Sequence, residues 1–353
     1  MKNKAIWLLL FTVVLAIVGW LVWSSNRSTQ IQRPKIVVLQ TVEHLQEGGA
    51  LTNPKPARRY KIGVLFPFLA SPFWVNEAYG VLDQASKLGV DVVWLSADGY
   101  DNIDKQNGQI EDLVVRRVDA ILLAATSATG TVPAVERAAA LGVPVFAHVT
   151  SSNTDKVLSS VVDDDLSIGQ QQAEFMGQAT GGKGTVAMLD GPAAADWSSR
   201  RVQGFKQVLS SRYPGLKIVA ERNGIPDRAD AQRQTEDILS ANRGLDGIFT
   251  VADGMAMGAA DAVAAAGRSS SVTITTASFS RESLPYMAKG LIKLNVDENP
   301  VLMGRAAVNN VVTALSAMPV PKTIYVPNPA RTAQDALSID PSKQWAPDGW
   351  TLK

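Results

Sequence analysis

From Tyr60 onward the chain alternates between two kinds of text. Short apolar runs rich in Val, Ile and Leu are followed by longer amphipathic stretches. The first five runs are 62–66, 92–95, 120–123, 143–147 and 157–162. A second five follow at 185–189, 217–220, 247–250, 272–276 and 291–296. Continuous apolar runs of this length predict strands buried on both faces, as in parallel sheets. The intervening stretches (76–88, 103–116, 132–141, 168–180, 200–212, 229–239 and 256–266) carry helical periodicity. Gly142-Val143-Pro144 and Tyr213-Pro214-Gly215 punctuate helix ends where glycine and proline belong. Ten such units exceed one ordinary sheet. They divide near Asp163-Asp164-Asp165 into two doubly wound α/β lobes with a hinge and an interlobe cleft. No repeat of solenoid period is present.

The N-terminal text differs. Residues 1–4 are basic, and Ala5 to Trp23 holds no charged residue. That length suits a spanning helix better than a cleaved signal, and Trp20 and Trp23 suit an interfacial belt. Residues 1–23 therefore read as a signal anchor, a transmembrane helix tethering the rest to the inner membrane, with a cleaved signal peptide as the alternative. Lys2 and Lys4 place the N-terminus in the cytoplasm, so the remainder is exported to the periplasm. Residues 24–59 read as an irregular linker apart from a short Ile36–Leu39 run. The expected lobes are 60–164 with 299–327, and 165–298 with 328–353.

Composition narrows the chemistry. The 353 residues carry a net charge of +1 with no long run of either sign, which disfavours nucleic acid as a partner. Arg116-Arg117 and Arg200-Arg201 read as solvated helix faces. There is no cysteine, so disulfides, thiolate metal sites and cysteine nucleophiles are excluded. The only two histidines, His44 and His148, lie far apart in sequence. No metal, cofactor or catalytic constellation is expected. Gly181-Gly182-Lys183-Gly184 precedes a strand, whereas phosphate-binding glycine loops follow one. The chain reads as a binding protein, not an enzyme.

The candidate site begins at Ser71-Pro72-Phe73-Trp74, where the first strand hands over to the first helix. Ligands of open α/β sheets bind outside the carboxyl ends of strands, where this segment falls. Two adjacent aromatics there make a ligand wall, or else the buried face of the helix. Tyr100 follows the second strand, His148 ends the fourth, and Trp197 precedes a helix of the second lobe. Asp165, Asp227 and Asp253 each open a helix, so each is either a ligand contact or a cap. Among the three aspartates at 163–165, Asp164 is the favoured cap. Phe279 follows the ninth strand and is a further candidate contact.

Taken together, 85–92, 109–114, 118–123, 141–145, Gly204-Phe205 and 253–259 resemble the type I periplasmic binding proteins of the ribose-binding kind. The resemblance spans about Tyr60 to Trp350. It implies lobes joined by three crossovers, near Asp164, Glu298 and Pro327. It also implies an Asp-Arg pair after the fourth strand to grip sugar hydroxyls, but here that strand runs into His148-Val149-Thr150. The Asn-Asp of the family near 253 is Ala252-Asp253. A narrower likeness is to the TorT-type periplasmic accessory proteins, which bind trimethylamine N-oxide and work with a membrane sensor kinase. It rests on Trp74, Gly99-Tyr100, Val149, Gly191-Pro192 and Gly204-Phe205, with Trp197 fitting the wider group. Asp165 stands where an aromatic lines that pocket. The implied ligand is a methylated amine held by Trp74, Tyr100 and Trp197 through cation–π contacts, with Asp165 or Asp253 as counter-charge. The implied partner is a membrane sensor histidine kinase. The alternative is a solute receptor of an ABC permease for a sugar-like ligand.

Overall fold

The computed structural model describes residues 35–192 and 195–352, the side chains of 342 and 343 apart. The predicted signal anchor, 1–23, lies outside the described residues. Among the described residues no helix is long and apolar enough to cross a membrane.

Two parallel sheets organise the chain from Ile36 onward. The first contains β1 (Val38–His44), β2 (Lys61–Phe66), β3 (Asp91–Ser96), β4 (Ala120–Leu123), β5 (Val145–His148), β6 (Val157–Val162) and β12 (Val320–Tyr325), in the order β1-β12-β6-β5-β4-β2-β3. The second contains β7 (Lys183–Asp190), β8 (Gly215–Asn223), β9 (Gly247–Thr250), β10 (Thr273–Ala277), β11 (Leu294–Val296) and β13 (Ala330–Arg331), in the order β13-β11-β10-β9-β7-β8. Only the short β13 runs antiparallel, against β11. The central strands are buried along their whole length, which is why they read as unbroken apolar runs.

Helices cover both faces. Those of the first lobe are α1 (Pro72–Leu88), α2 (Ile103–Val115), α3 (Val132–Ala140) and, later in the chain, α9 (Pro300–Leu315). The second lobe carries α4 (Asp165–Ala179), α5 (Asp196–Arg212), α6 (Arg228–Ala241), α7 (Asp253–Ala265) and α8 (Leu284–Ala288). Two short C-terminal helices follow, α10 (Ala333–Ser338) and α11 (Pro341–Gln344). Helices α4 and α5 touch through their backbones. A Cβ on Gly169 would sit 1.9 Å from the Arg201 carbonyl, and one on Gly204 would sit 2.1 Å from that of Leu166. Only glycine permits that approach, and it sets where α5 delivers its side chains.

The stretch 24–59 is not wholly irregular, as the sequence suggested. It contains β1, an edge strand whose residues pair with β12 residues 281 or 282 positions later in the sequence. Most of its positions are exposed, so it carries no apolar alternation to betray it.

The chain passes between sheets three times: after β6 at 163–164, after β11 at 297–299, and after β12 at 326–329. These passages are stitched side by side. Asn328 donates to Asp163 Oδ1 at 2.6 Å and accepts from the Asp164 amide at 3.1 Å. Asn299 donates to the Pro327 carbonyl at 2.6 Å. Asn299 sits at φ 48°, a left-handed conformation that asparagine tolerates better than most residues.

Candidate functional site

In the first lobe, site candidates stand at or just beyond the carboxyl ends of β2, β3 and β5. Beyond β2, Ser71 caps α1, its Oγ accepting from the Trp74 amide at 3.5 Å, and Pro72 fixes the first turn. That geometry turns Trp74 inward. It is 2% exposed, with its ring 5.0 Å from Phe66 and 5.1 Å from Phe73. Phe68 lies 6.2 Å from Trp74 and 5.3 Å from Tyr100, tying the loops after β2 and β3 into one aromatic group. The Tyr100 hydroxyl faces the indole edges of Trp74 and of Trp197, and burial raises its pKa above the ordinary phenol value. Trp197 belongs to the first turn of α5 in the other lobe. The three aromatics singled out in the sequence therefore meet across the lobes.

Arg201 follows Trp197 by one helical turn, its guanidinium 5.1 Å from the centre of that indole. The group is 2% exposed. Its Nε donates to Asp165 at 2.9 Å, one Nη to the Val251 carbonyl at 2.8 Å, and the other Nη to Glu298. Reading Arg200-Arg201 as a solvated pair was thus wrong for Arg201. The signal that would have found it is its i+4 spacing from Trp197, which puts both on one face of the helix.

The electrostatics are unusual. Asp163, Asp165 and Glu298 are all buried near this one guanidinium, and Asp253 is buried within electrostatic reach of Glu298. Burial pushes the Asp165 carboxyl up to about 7, against the pull of Arg201. Burial likewise pushes Asp253 up to about 7, although Ser280 and the Gly254 amide hydrogen-bond it. Asp190, at the end of β7, is raised to about 6 by burial. Several buried atoms here lack a hydrogen-bond partner: Trp197 Nε1, Asp190 Oδ1, Asp253 Oδ2 and Glu298 Oε2. Buried polar atoms are normally satisfied, so one donor and three acceptors left over at the ends of several strands mark a place built to receive polar groups. Glu298 and Asp190 were not singled out from sequence. Glu298 was read only as a crossover, and Asp190 fell just past the predicted strand 185–189.

Other candidates go elsewhere. His148 is fully buried behind Phe66, with ring centroids 5.0 Å apart. Its Nδ1 lies 2.7 Å from Glu77 Oε1, and both side chains are inaccessible. Burial lowers His148 to about 3 and raises Glu77 well above its ordinary value, so desolvation works against charge on both partners of this contact. The next residue, Val149, is held at φ 59°, a strained conformation for a β-branched side chain. Asp227 is exposed and caps α6, accepting from the Asp230 amide at 2.8 Å, so it does not join the cluster. Phe279 is packed in the second-lobe core, 5.5 Å from Trp345, rather than presented as a wall. Phe73 is half-buried against the first-lobe core. Asp164 is the cap of α4, accepting from Ser167 at 3.1 Å, as its position in the aspartate run suggested. Asp165 is drawn into the ion pair instead. Among the described residues no group of side chains is arranged to hold a metal ion.

Residues 62–317 match the periplasmic binding protein domain. The chain belongs to that family. Membership implies a periplasmic location. The ribose import binding protein RbsB of Bacillus subtilis is 27% identical over 276 residues, covering 78% of this chain and 88% of the relative. The periplasmic protein TorT of Escherichia coli is 26% identical over 304 residues, covering 85% and 86%. Among solved structures, a substrate-binding protein of a sugar ABC transport system from Bordetella parapertussis superimposes with a TM-score of 0.80 at 25% identity, covering 86% of this chain and 99% of that one. The likeness to periplasmic binding proteins of the ribose kind, TorT among them, thus holds. Relatives named for import and for sugar binding carry names of binding proteins, not of enzymes.

Proposed function

We propose that this protein is the periplasmic receptor of an ABC importer and closes its two lobes on a small sugar or polyol. The observation that carries the reading is the meeting of Trp74, Tyr100 and Trp197 from two lobes beside buried carboxylates with unused acceptors. Aromatic faces pack on the C–H faces of a sugar ring, and carboxylates accept from its hydroxyls. Sugar receptors of the family use an Asp-Arg pair after the fourth strand. Here His148 turns inward to Glu77, and Glu298, Asp253 and Asp190 of the opposite lobe supply the acceptors. The relatives named for ribose and sugar transport support the same direction. The first lobe, 60–164 with 299–327 and the added strand β1, and the second, 165–298 with the chain from 328 to Trp345, rotate about the three passages, the usual switching mode of such hinges.

A second reading is favoured by one observation. Three buried carboxyl groups surround a single guanidinium, a surplus of acidic groups that suits a cationic ligand. Three aromatics beside it would bind a methylated amine by cation–π attraction. The receptor would then signal to a membrane sensor kinase, in the manner of its likeness to TorT.

A thermal-shift screen of the full chain in detergent separates the two. Pentoses, hexoses and polyols form one arm; trimethylamine N-oxide, choline and betaine form the other. A ligand at 100 times its Kd adds about 2.7 kcal/mol of stability. Stabilisation by sugars or polyols alone supports the importer, and stabilisation by amines alone supports the sensor. Stabilisation by neither overturns both.

A further inference from the structure

The last residues of the chain cross between the lobes outside the three hinge passages. Trp345 is sunk in the second-lobe core, 2% exposed, and its Nε1 donates to the Phe279 carbonyl at 3.2 Å. Arg281 lies over that indole at 5.4 Å, donates to the Ala346 carbonyl at 3.3 Å and pairs with Asp348. One residue past Trp345 the chain changes lobes. The Ala346 amide donates to Asn76 Oδ1 at 2.7 Å, and Asn76 is a buried residue of α1 in the first lobe. Trp350 then packs edge-on against Tyr79, also of α1, at 5.6 Å, and joins the first-lobe core. A cavity of about 350 Å³ remains between Ser71 and Val75 on one side and Glu282 and Pro347 on the other, so the segment bridges the lobes without filling the space beneath it.

We propose that residues 345–350 are a strap that holds the lobes together, so that Asn76, Tyr79 and Trp350 set ligand affinity without touching ligand. The hinge hydrogen bonds lie within the passages and survive a rotation about them. The Ala346–Asn76 bond and the Trp350–Tyr79 contact do not, because their two ends belong to different lobes. Separating the lobes exposes a buried asparagine and the face of a tryptophan. The inference rests on the lobe movement invoked above.

The test needs no ligand. The chain has no cysteine, so spin labels on Val115→Cys of the first lobe and Asp237→Cys of the second report one interlobe distance. Val115 is 78% exposed and Asp237 is exposed, so neither label disturbs packing. In the full chain the strap predicts a single short distance. Trp350→Ala and Asn76→Ala should each add a population several ångströms longer, while Trp350→Phe, which keeps a ring on Tyr79, stays with the parent. Identical distributions in parent and alanine variants overturn the strap, as does opening by Trp350→Phe to the same extent as by Trp350→Ala. A ligand screen that stabilises nothing overturns the receptor reading and leaves this comparison standing.

Discussion

Arg201 holds the interlobe end of the second lobe together, and its replacement by methionine should be costly in a pH-dependent way. The guanidinium makes three hydrogen bonds, two to carboxylates, with side chains at 3%, 9% and 4% exposure for Arg201, Asp165 and Glu298. The bonds act as a unit, so their separate values do not add. Removing one partner of a buried pair typically costs about 3–5 kcal/mol, because the remaining charge is stranded. At roughly 2–3 °C per kcal/mol for a chain of this size, Tm should fall by roughly 6–15 °C. Among the stranded groups is Asp165, a carboxyl whose folded pKa is already raised, to about 7. For such a group the folded state binds more protons than the unfolded state between that value and about 4. Stability from it is full below the unfolded pKa and is lost as pH rises through the folded pKa. Losing Arg201 pushes the folded value higher, so the deficit should be larger at pH 8 than at pH 5. Urea unfolding of parent and variant at both pH values measures this. A loss below about 1 kcal/mol, the value of an exposed pair, or an equal loss at both pH values, would refute the reasoning.

Three further outcomes are expected. Neutral His148, lowered to about 3 by burial, contributes stability that is full above its unfolded pKa of about 6.5 and is lost as pH falls toward the folded value. His148→Gln should therefore lose less stability than the parent between pH 7 and pH 4, measured as the difference in urea midpoints. Gly169→Ala meets the Arg201 carbonyl and should cost about 2 kcal/mol or more by overpacking. Gly108→Ala, in the open on α2, should gain about 0.5–1 kcal/mol, and calorimetry of the two checks the contrast. Trp197→Ala should weaken binding of the ligand found by the screen at least tenfold, whereas Asp227→Ala leaves affinity unchanged and only frays α6; titration calorimetry distinguishes them.

Much of the fold is legible in the residues themselves. Strands buried on both faces must be continuously apolar, so β2, β4, β5 and β9 announce themselves, and so do the helices between them. Ser71-Pro72 fixes a helix start by local chemistry alone, and Asp164 does the same. The aromatic trio could be named because each member follows a strand end, where a wound sheet presents its loops. What the text could not hold is anything set by contacts between distant segments. Strand β1 is mostly exposed, and only β12 gives it a register. His148 and Phe279 stand at strand ends like the proposed wall residues, yet packing turns one toward Glu77 and the other toward Trp345. Arg201 looks like its solvated neighbour Arg200 until Gly169 and Gly204 bring α4 and α5 into backbone contact and sink it among carboxylates. The strap at 345–350 is a few irregular residues in sequence. It gains its character only because Trp345 and Trp350 find cores in different lobes. Local chemistry and burial period are written residue by residue; which charges end up facing one another is decided when the two lobes pack.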